Sequence, residues 1–200
     1  MKIKNIITWT FFCGFGIYAQ PVVEHSPLFP SLDKPIVITF YADRGSKGLS
    51  GHNGDVYAHT GVITDKSTRP SDWKYVKTSW GQNTNSTKLT RIASNEYQFI
   101  INDIREYYGV PSSERIIKLA FVFRSADTSK EGKDSGGEDI FISLYENSIN
   151  LALISPKLSD LEPFIVNQDT VVAIKAKAVT VGSSISSITL SVNGSNVKSS

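Results

Sequence analysis

Apolar and polar residues alternate along this chain in short blocks of period two, and almost nowhere with the period of a helix. The first block, Ile36-Val37-Ile38-Thr39-Phe40-Tyr41, is β-branched and aromatic, and it predicts a strand. A second strand is predicted over 56–64, where Val56, Ala58 and Val62 share one face and Tyr57 and His59 the other. Further strands are expected at 73–80, 88–92, 97–101, 116–124 and 139–145. Within 97–101, Tyr97, Phe99 and Ile101 fall on one face; within 116–124, Ile117, Leu119, Phe121 and Phe123 alternate with Lys118, Ala120, Val122 and Arg124. One helical turn is predicted, 103–108, stopped by Gly109 and Pro111. Short strands at close spacing with loops between them predict an all-β domain over 33–153, an immunoglobulin-like antiparallel β-sandwich.

The flanks follow different patterns. Lys2 and Lys4, the apolar run 6–16 and Ile17-Tyr18-Ala19 read as a secretory signal over 1–20, which places the mature chain outside the cell or on its outer surface. Pro21, Pro27 and Pro30 make 21–32 an extended, proline-rich linker. A connector is expected at 154–163, and a second immunoglobulin-like pattern starts with 164–166, 171–178 and 185–192. Asn193-Gly194 is a tight-hairpin signal with little chain after it, so 164–200 reads as an incomplete domain and the chain as the N-terminal part of a longer protein.

Composition narrows the function classes. Two hundred residues at 40% hydrophobic content support one good core. Lys and Arg number 21 against 19 Asp and Glu, scattered without a basic stripe, which argues against nucleic-acid binding. No stretch approaches the ~20 apolar residues of a transmembrane helix. The single cysteine, Cys13, lies in the signal region after Phe12, where a lipid-anchored cysteine would follow a small residue; the mature chain therefore has no disulfide, thiolate metal site or cysteine nucleophile.

Candidate chemistry concentrates in 55–81. If the small aliphatics of 56–64 enter the core, Tyr57 and His59 point outward, joined by Trp73 and Trp80 with Lys77 as a hydrogen-bond donor. Flat rings with polar neighbours suit the C–H face and hydroxyls of a sugar. The competing reading is that both tryptophans plug a sandwich core. The loop 127–138 matches a calcium loop loosely, through Asp127, Ser129, Glu131, Gly132 and Glu138, but its flanks read as strands, so a solvated hairpin loop is the expectation and no cofactor is assigned. Of the three histidines, His25 and His52 lie in the linker and the glycine-containing loop 43–55, and His59 in a strand; no metal-ligand spacing, nucleophile elbow or catalytic residue emerges.

The segments GDVYAHTGVIT (54–64), DWKYVKTSWG (72–81), IREYYGV (104–110) and KLAFVFRSADTSKEGKD (118–134) followed by DIF (139–141) resemble the N-terminal starch-binding β-sandwich of bacterial secreted alpha-amylase-like proteins from starch-utilisation systems. That region is akin to the twenty-sixth family of carbohydrate-binding modules, and the resemblance covers about half of the chain. It implies an α-glucan partner, a platform formed by a Tyr-x-Tyr-like pair and a Trp, and a following immunoglobulin-like spacer and (β/α)₈ catalytic barrel. Tyr57-Ala58-His59 with Trp73 or Trp80 is the matching set, with His59 where the family carries a tyrosine. The segment 164–197 resembles the start of the spacer, and the barrel's catalytic carboxylates have no counterpart here.

Two functions are thus expected to compete. One is a non-catalytic module binding starch or maltooligosaccharide. The other is a structural immunoglobulin-like spacer or cell-surface adhesion domain with no sugar affinity.

Overall fold

The structure, a computed structural model, describes residues 20–32, 34–145, 149–155, 171–180, 184–192 and 194–199. The protein is all-β, built of antiparallel sheets with almost no helix. The expected signal segment 1–20, but for its last residue, the connector core 156–163 and the strand at 164–166 lie outside the described residues.

One four-stranded sheet has the order β1 (Val23–Ser26), β2 (Ile36–Tyr41), β5 (Glu96–Ile101), β4 (Thr90–Ala93). The other is centred on β6 (Ile116–Ser125), the longest strand among the described residues. Along one edge β6 pairs with β3 (Val56–Thr64); along the other it pairs with β7 (Glu131–Gly132) and β8 (Ile140–Ser143) at successive positions.

The predicted alternation decides which residues meet between these sheets. Ile36, Ile38 and Phe40 of β2 and Tyr97, Phe99 and Ile101 of β5 face Val56, Ala58 and Val62 of β3, Leu119, Phe121 and Phe123 of β6, and Ile140 and Ile142 of β8 in one buried cluster. Phe40 lies 4.3 Å from Phe123, and Phe99 6.3 Å from Phe121, centroid to centroid. Each fully buried side chain of this size is worth roughly 1.5–3 kcal/mol relative to exposure, so the core rests on strands whose pattern announces them.

Helix α1 (Ile104–Tyr108) follows β5 as predicted: Asp103 caps its N-terminus by accepting from the Glu106 amide at 2.8 Å, and Gly109 closes it at φ 73°. Tyr108 enters the interior, where its hydroxyl lies 2.6 Å from Thr60 Oγ1, which in turn donates to the Ala120 carbonyl.

Two expectations change. The proline-rich 21–32 is extended but not free: Val23–Ser26 forms an edge strand in register with β2, Val23 opposite Phe40, and Val22 is buried in the core. Its prolines flank the strand, where their missing N–H groups cost no ladder bond. The segment 73–80 is not a strand; it forms one β-bridge to β3, Val62 to Lys74, breaks at Tyr75, whose φ is +50°, and rejoins β3 only through the Lys77 amide donating to the Thr60 carbonyl at 3.0 Å. The glycine-containing loop 43–55 packs against β7, with Leu49 buried and the Ser46 amide donating to the Lys133 carbonyl at 3.0 Å. Further along, β9 (Asn150–Ser155) pairs with β10 (Lys175–Val179), and β11 (Thr189–Val192) with β12 (Ser195–Ser199), as separate two-stranded sheets.

Candidate functional site

The face of β3 turned away from the core carries Tyr57, His59, Gly61 and Ile63. Across the ladder on β6 stand Arg124 opposite Tyr57, Val122 opposite His59, Ala120 opposite Gly61 and Lys118 opposite Ile63; Phe141 of β8 continues the Ala120 row. The two small residues, Gly61 and Ala120, leave a shelf, and the loop after β3 settles on it. A Cβ built on Gly61 would meet the Lys74 carbonyl oxygen at 2.9 Å, Val76 Cγ2 at 3.1 Å and Trp73 Cβ at 3.4 Å. Glycine is required here because backbone passes over backbone.

The loop brings both tryptophans to one histidine. His59 stacks on Trp73 with centroids 5.8 Å apart and planes at 27°, and meets Trp80 edge-on at 5.1 Å and 78°. Trp73 in turn stands edge-on to Phe141 at 6.4 Å. Neither tryptophan belongs to the hydrophobic core; Trp80 is 46% exposed and Trp73 is half-buried. In a regular strand, residues 73 and 80, an odd number apart, would point to opposite faces. The break at Tyr75 and the turn in which the Gln82 amide donates to the Ser79 carbonyl, with Gly81 at φ 83°, put them side by side.

The five residues singled out from the sequence therefore occupy different situations. His59, Trp73 and Trp80 form one contiguous aromatic surface. Tyr57 lies on the same face of β3 but is only 8% exposed, covered on the side of Arg124, whose guanidinium sits 5.4 Å from the Tyr57 ring centroid. Lys77 turns to α1: its ammonium donates to the Tyr107 carbonyl and lies 4.8 Å from the Tyr107 ring.

Sequence reasoning missed Arg124. It is 1% exposed and lies 6.0 Å from the Trp80 ring centroid. Its Nη1 donates to Asn83 Oδ1 at 2.8 Å and to the Ser125 carbonyl at 3.0 Å, and its Nη2 donates to the Gln82 carbonyl at 2.7 Å. Among the described residues no carboxylate pairs with it, Glu131 opposite on β7 included. Burial accordingly pushes its pKa down. The only sequence signal is its register position opposite Tyr57. His59 is held below the ordinary imidazole value by burial first and by the Arg124 charge second, with Asp139 acting in the opposite sense. The neutral ring is thus favoured, which suits its stacking on Trp73. His59 Nδ1, Trp73 Nε1 and Arg124 Nε are buried without a hydrogen-bond partner among the described residues.

The loop 127–138 uses its first acid internally. Asp127 Oδ1 accepts from Ser125 Oγ at 2.6 Å, from the Ser129 amide at 3.1 Å and from Ser129 Oγ at 2.8 Å, which brings its pKa down to about 2. Among the described residues no group of three or more His, Cys, Asp or Glu side chains is arranged to hold a metal ion.

No protein-family model matches this chain, and no curated protein aligns with it significantly.

Proposed function

We propose that this chain is a non-catalytic α-glucan-binding module, an immunoglobulin-like sandwich belonging to a secreted or surface-exposed alpha-amylase-like glycoside hydrolase. The observation that carries this reading is the aromatic surface His59–Trp73–Trp80, which lies outside the core and has its most exposed ring, Trp80, at the rim. A pyranose laid on Trp80 presents its C–H face to the indole, at about 1 kcal/mol per ring. The exposed Gln82 follows two residues on, its Oε1 accepting from the Ser79 amide at 3.3 Å, so its side-chain NH2 is a donor close in sequence to a sugar on Trp80. Two rings and a few hydrogen bonds give affinity roughly in the micromolar-to-millimolar range, adequate for a module that meets a polymer repeatedly.

The test is affinity electrophoresis of the full chain through gels with and without soluble starch. Retardation relieved by maltoheptaose is the expected result; unchanged mobility of folded protein refutes the proposal.

A second reading, a spacer without sugar affinity, draws on the burial of Tyr57 and the engagement of Lys77 with Tyr107, which withdraw two of the five residues from solvent. It requires that tryptophan emission stay unchanged on adding maltooligosaccharide, whereas the sugar-binding reading requires a shift.

A further inference from the structure

We infer that Arg124 is the positioning residue of the aromatic surface: its guanidinium fork fixes the 82–83 turn and thereby holds the Trp80 ring against His59. For its effect on binding the inference rests on the α-glucan reading; for its effect on the ring it stands by itself.

A side chain 1% exposed that carries a full charge and has no carboxylate partner among the described residues gives up its hydration without an ion pair to offset it. An aliphatic residue at this strand position would avoid that cost. What the arginine supplies instead is geometry. Two separate nitrogens reach two successive residues of the loop, Nη2 to the Gln82 carbonyl and Nη1 to the Asn83 side chain, while Nη1 also grips the carbonyl of Ser125 on its own strand. A planar fork with fixed donor directions can hold both loop residues at once; a single ammonium cannot.

Trp80 sits inside the turn held in this way, which the Gln82 amide closes on the Ser79 carbonyl. Gly81 sits at φ 83°, a conformation with little intrinsic restraint at glycine, so the ring's direction is set by what anchors the residues on either side of it. On the C-terminal side those anchors are the contacts from Arg124, together with Asn83 Nδ2 donating to the Ala126 carbonyl at 3.1 Å. The guanidinium also lies 5.4 Å from the Tyr57 ring and 6.0 Å from the Trp80 ring, so the cation sits within cation–π range of both faces it organises. Tyr57 then belongs beneath the surface, as the seat for the arginine.

The experiment labels the full chain with fluorotryptophan and records fluorine NMR, in which Trp9, Trp73 and Trp80 give separate resonances and Trp80 is assigned by its loss in Trp80→Phe. In Arg124→Met the Trp80 resonance is expected to move toward the position of free fluorotryptophan while the Trp73 resonance stays, and retention on starch gels falls about ten-fold. Arg124→Lys, which keeps the charge and loses the fork, should behave like Arg124→Met. Asn83→Ala removes both side-chain anchors of that residue, the bond from Arg124 and the bond to the Ala126 carbonyl, and should shift the same resonance in the same direction, so an unmoved Trp80 signal remains decisive if the Arg124 variants do not fold. A Trp80 resonance unmoved in Asn83→Ala and in every folded Arg124 variant overturns the inference, as does a wild-type spectrum in Arg124→Lys. Because the spectrum needs no sugar, failure of the wild-type chain to bind starch overturns the glucan reading and leaves the positioning role standing on the NMR result.

Discussion

Tyr57 and Trp80 belong to one surface by position and to two by function. Trp80 is 46% exposed and rests on His59, whereas Tyr57 is 8% exposed and supports a buried cation. Trp80→Ala is therefore expected to abolish retention on starch gels while destabilising the fold less than truncation of a fully buried ring does. Tyr57→Ala should lose roughly 3 kcal/mol in urea unfolding, the scale of truncating a buried ring, and lose binding only as a consequence of that. Equal stability of the two variants would mean that the packing around Arg124 contributes nothing. His59 adds a pH dependence with a definite sign. Its folded pKa is depressed, so the unfolded chain takes up the proton first as pH falls. The stability contributed by the neutral ring is complete above about 6.5 and drains away as pH drops through the lower folded value. The urea midpoint should fall across that window in the native chain and not in His59→Phe. At this scale the sequence was informative where alternation ruled: Tyr57 and His59 do share the face opposite Val56, Ala58 and Val62. It was silent on Arg124, because an arginine alternating with Phe123 reads as a solvated face until a loop distant in sequence closes over it.

Among the elements, the loop 73–82 departs most from its sequence pattern. Its aromatic and apolar content reads as a strand, yet Tyr75 adopts a positive φ, and its hydroxyl donates to Glu114 Oε2 at 2.7 Å while Thr64 Oγ1 donates to the other carboxylate oxygen. One carboxylate thus ties the end of β3 to the loop that follows it. These two hydrogen bonds, the Thr64 bond first, hold the Glu114 pKa below its ordinary value. The sign is again that of a depressed group: the contribution is complete above the unfolded value of about 4.3 and is lost as pH falls through the folded one. Glu114→Gln should flatten the acid limb of a plot of thermal midpoint against pH; an unchanged limb would show that the tie carries no stability. Elements governed by neighbours in sequence were legible: the capped turn of α1 follows from Asp103 and Gly109. The strand within 21–32 was not, because an edge strand among prolines is made by its partner, β2, and not by its own propensity.

For the molecule as a whole, β6 is the member that every part of the second sheet touches, with β3 along one side and β7 and β8 sharing the other. Its burial from Leu119 to Ser125 reflects cover on both faces, by the core on one and by the outer-face cluster on the other. The all-β architecture was visible from the period of the pattern, since the core positions of β2 and β5 alternate cleanly; in β6 the alternation holds from Leu119 to Phe123, and the register shift before it puts Ile116 rather than Ile117 in the core. The pairing order was not, because β6 finds partners from both earlier and later segments of the chain.

The outer edge of β3 has a further consequence. It is not left bare: the amides of Lys74, Lys77 and Leu89 donate to the carbonyls of Val62, Thr60 and Val56, at 2.8, 3.0 and 2.9 Å, so an irregular segment occupies the places a neighbouring strand would take. An unshielded edge of this length is a template for another molecule's strand. The loop that carries the tryptophans is thus also a guard against polymerisation. Gly61→Ala, which forces the Lys74 carbonyl away from β3, is expected to announce itself as dimers and larger species in sedimentation well before any loss of secondary structure.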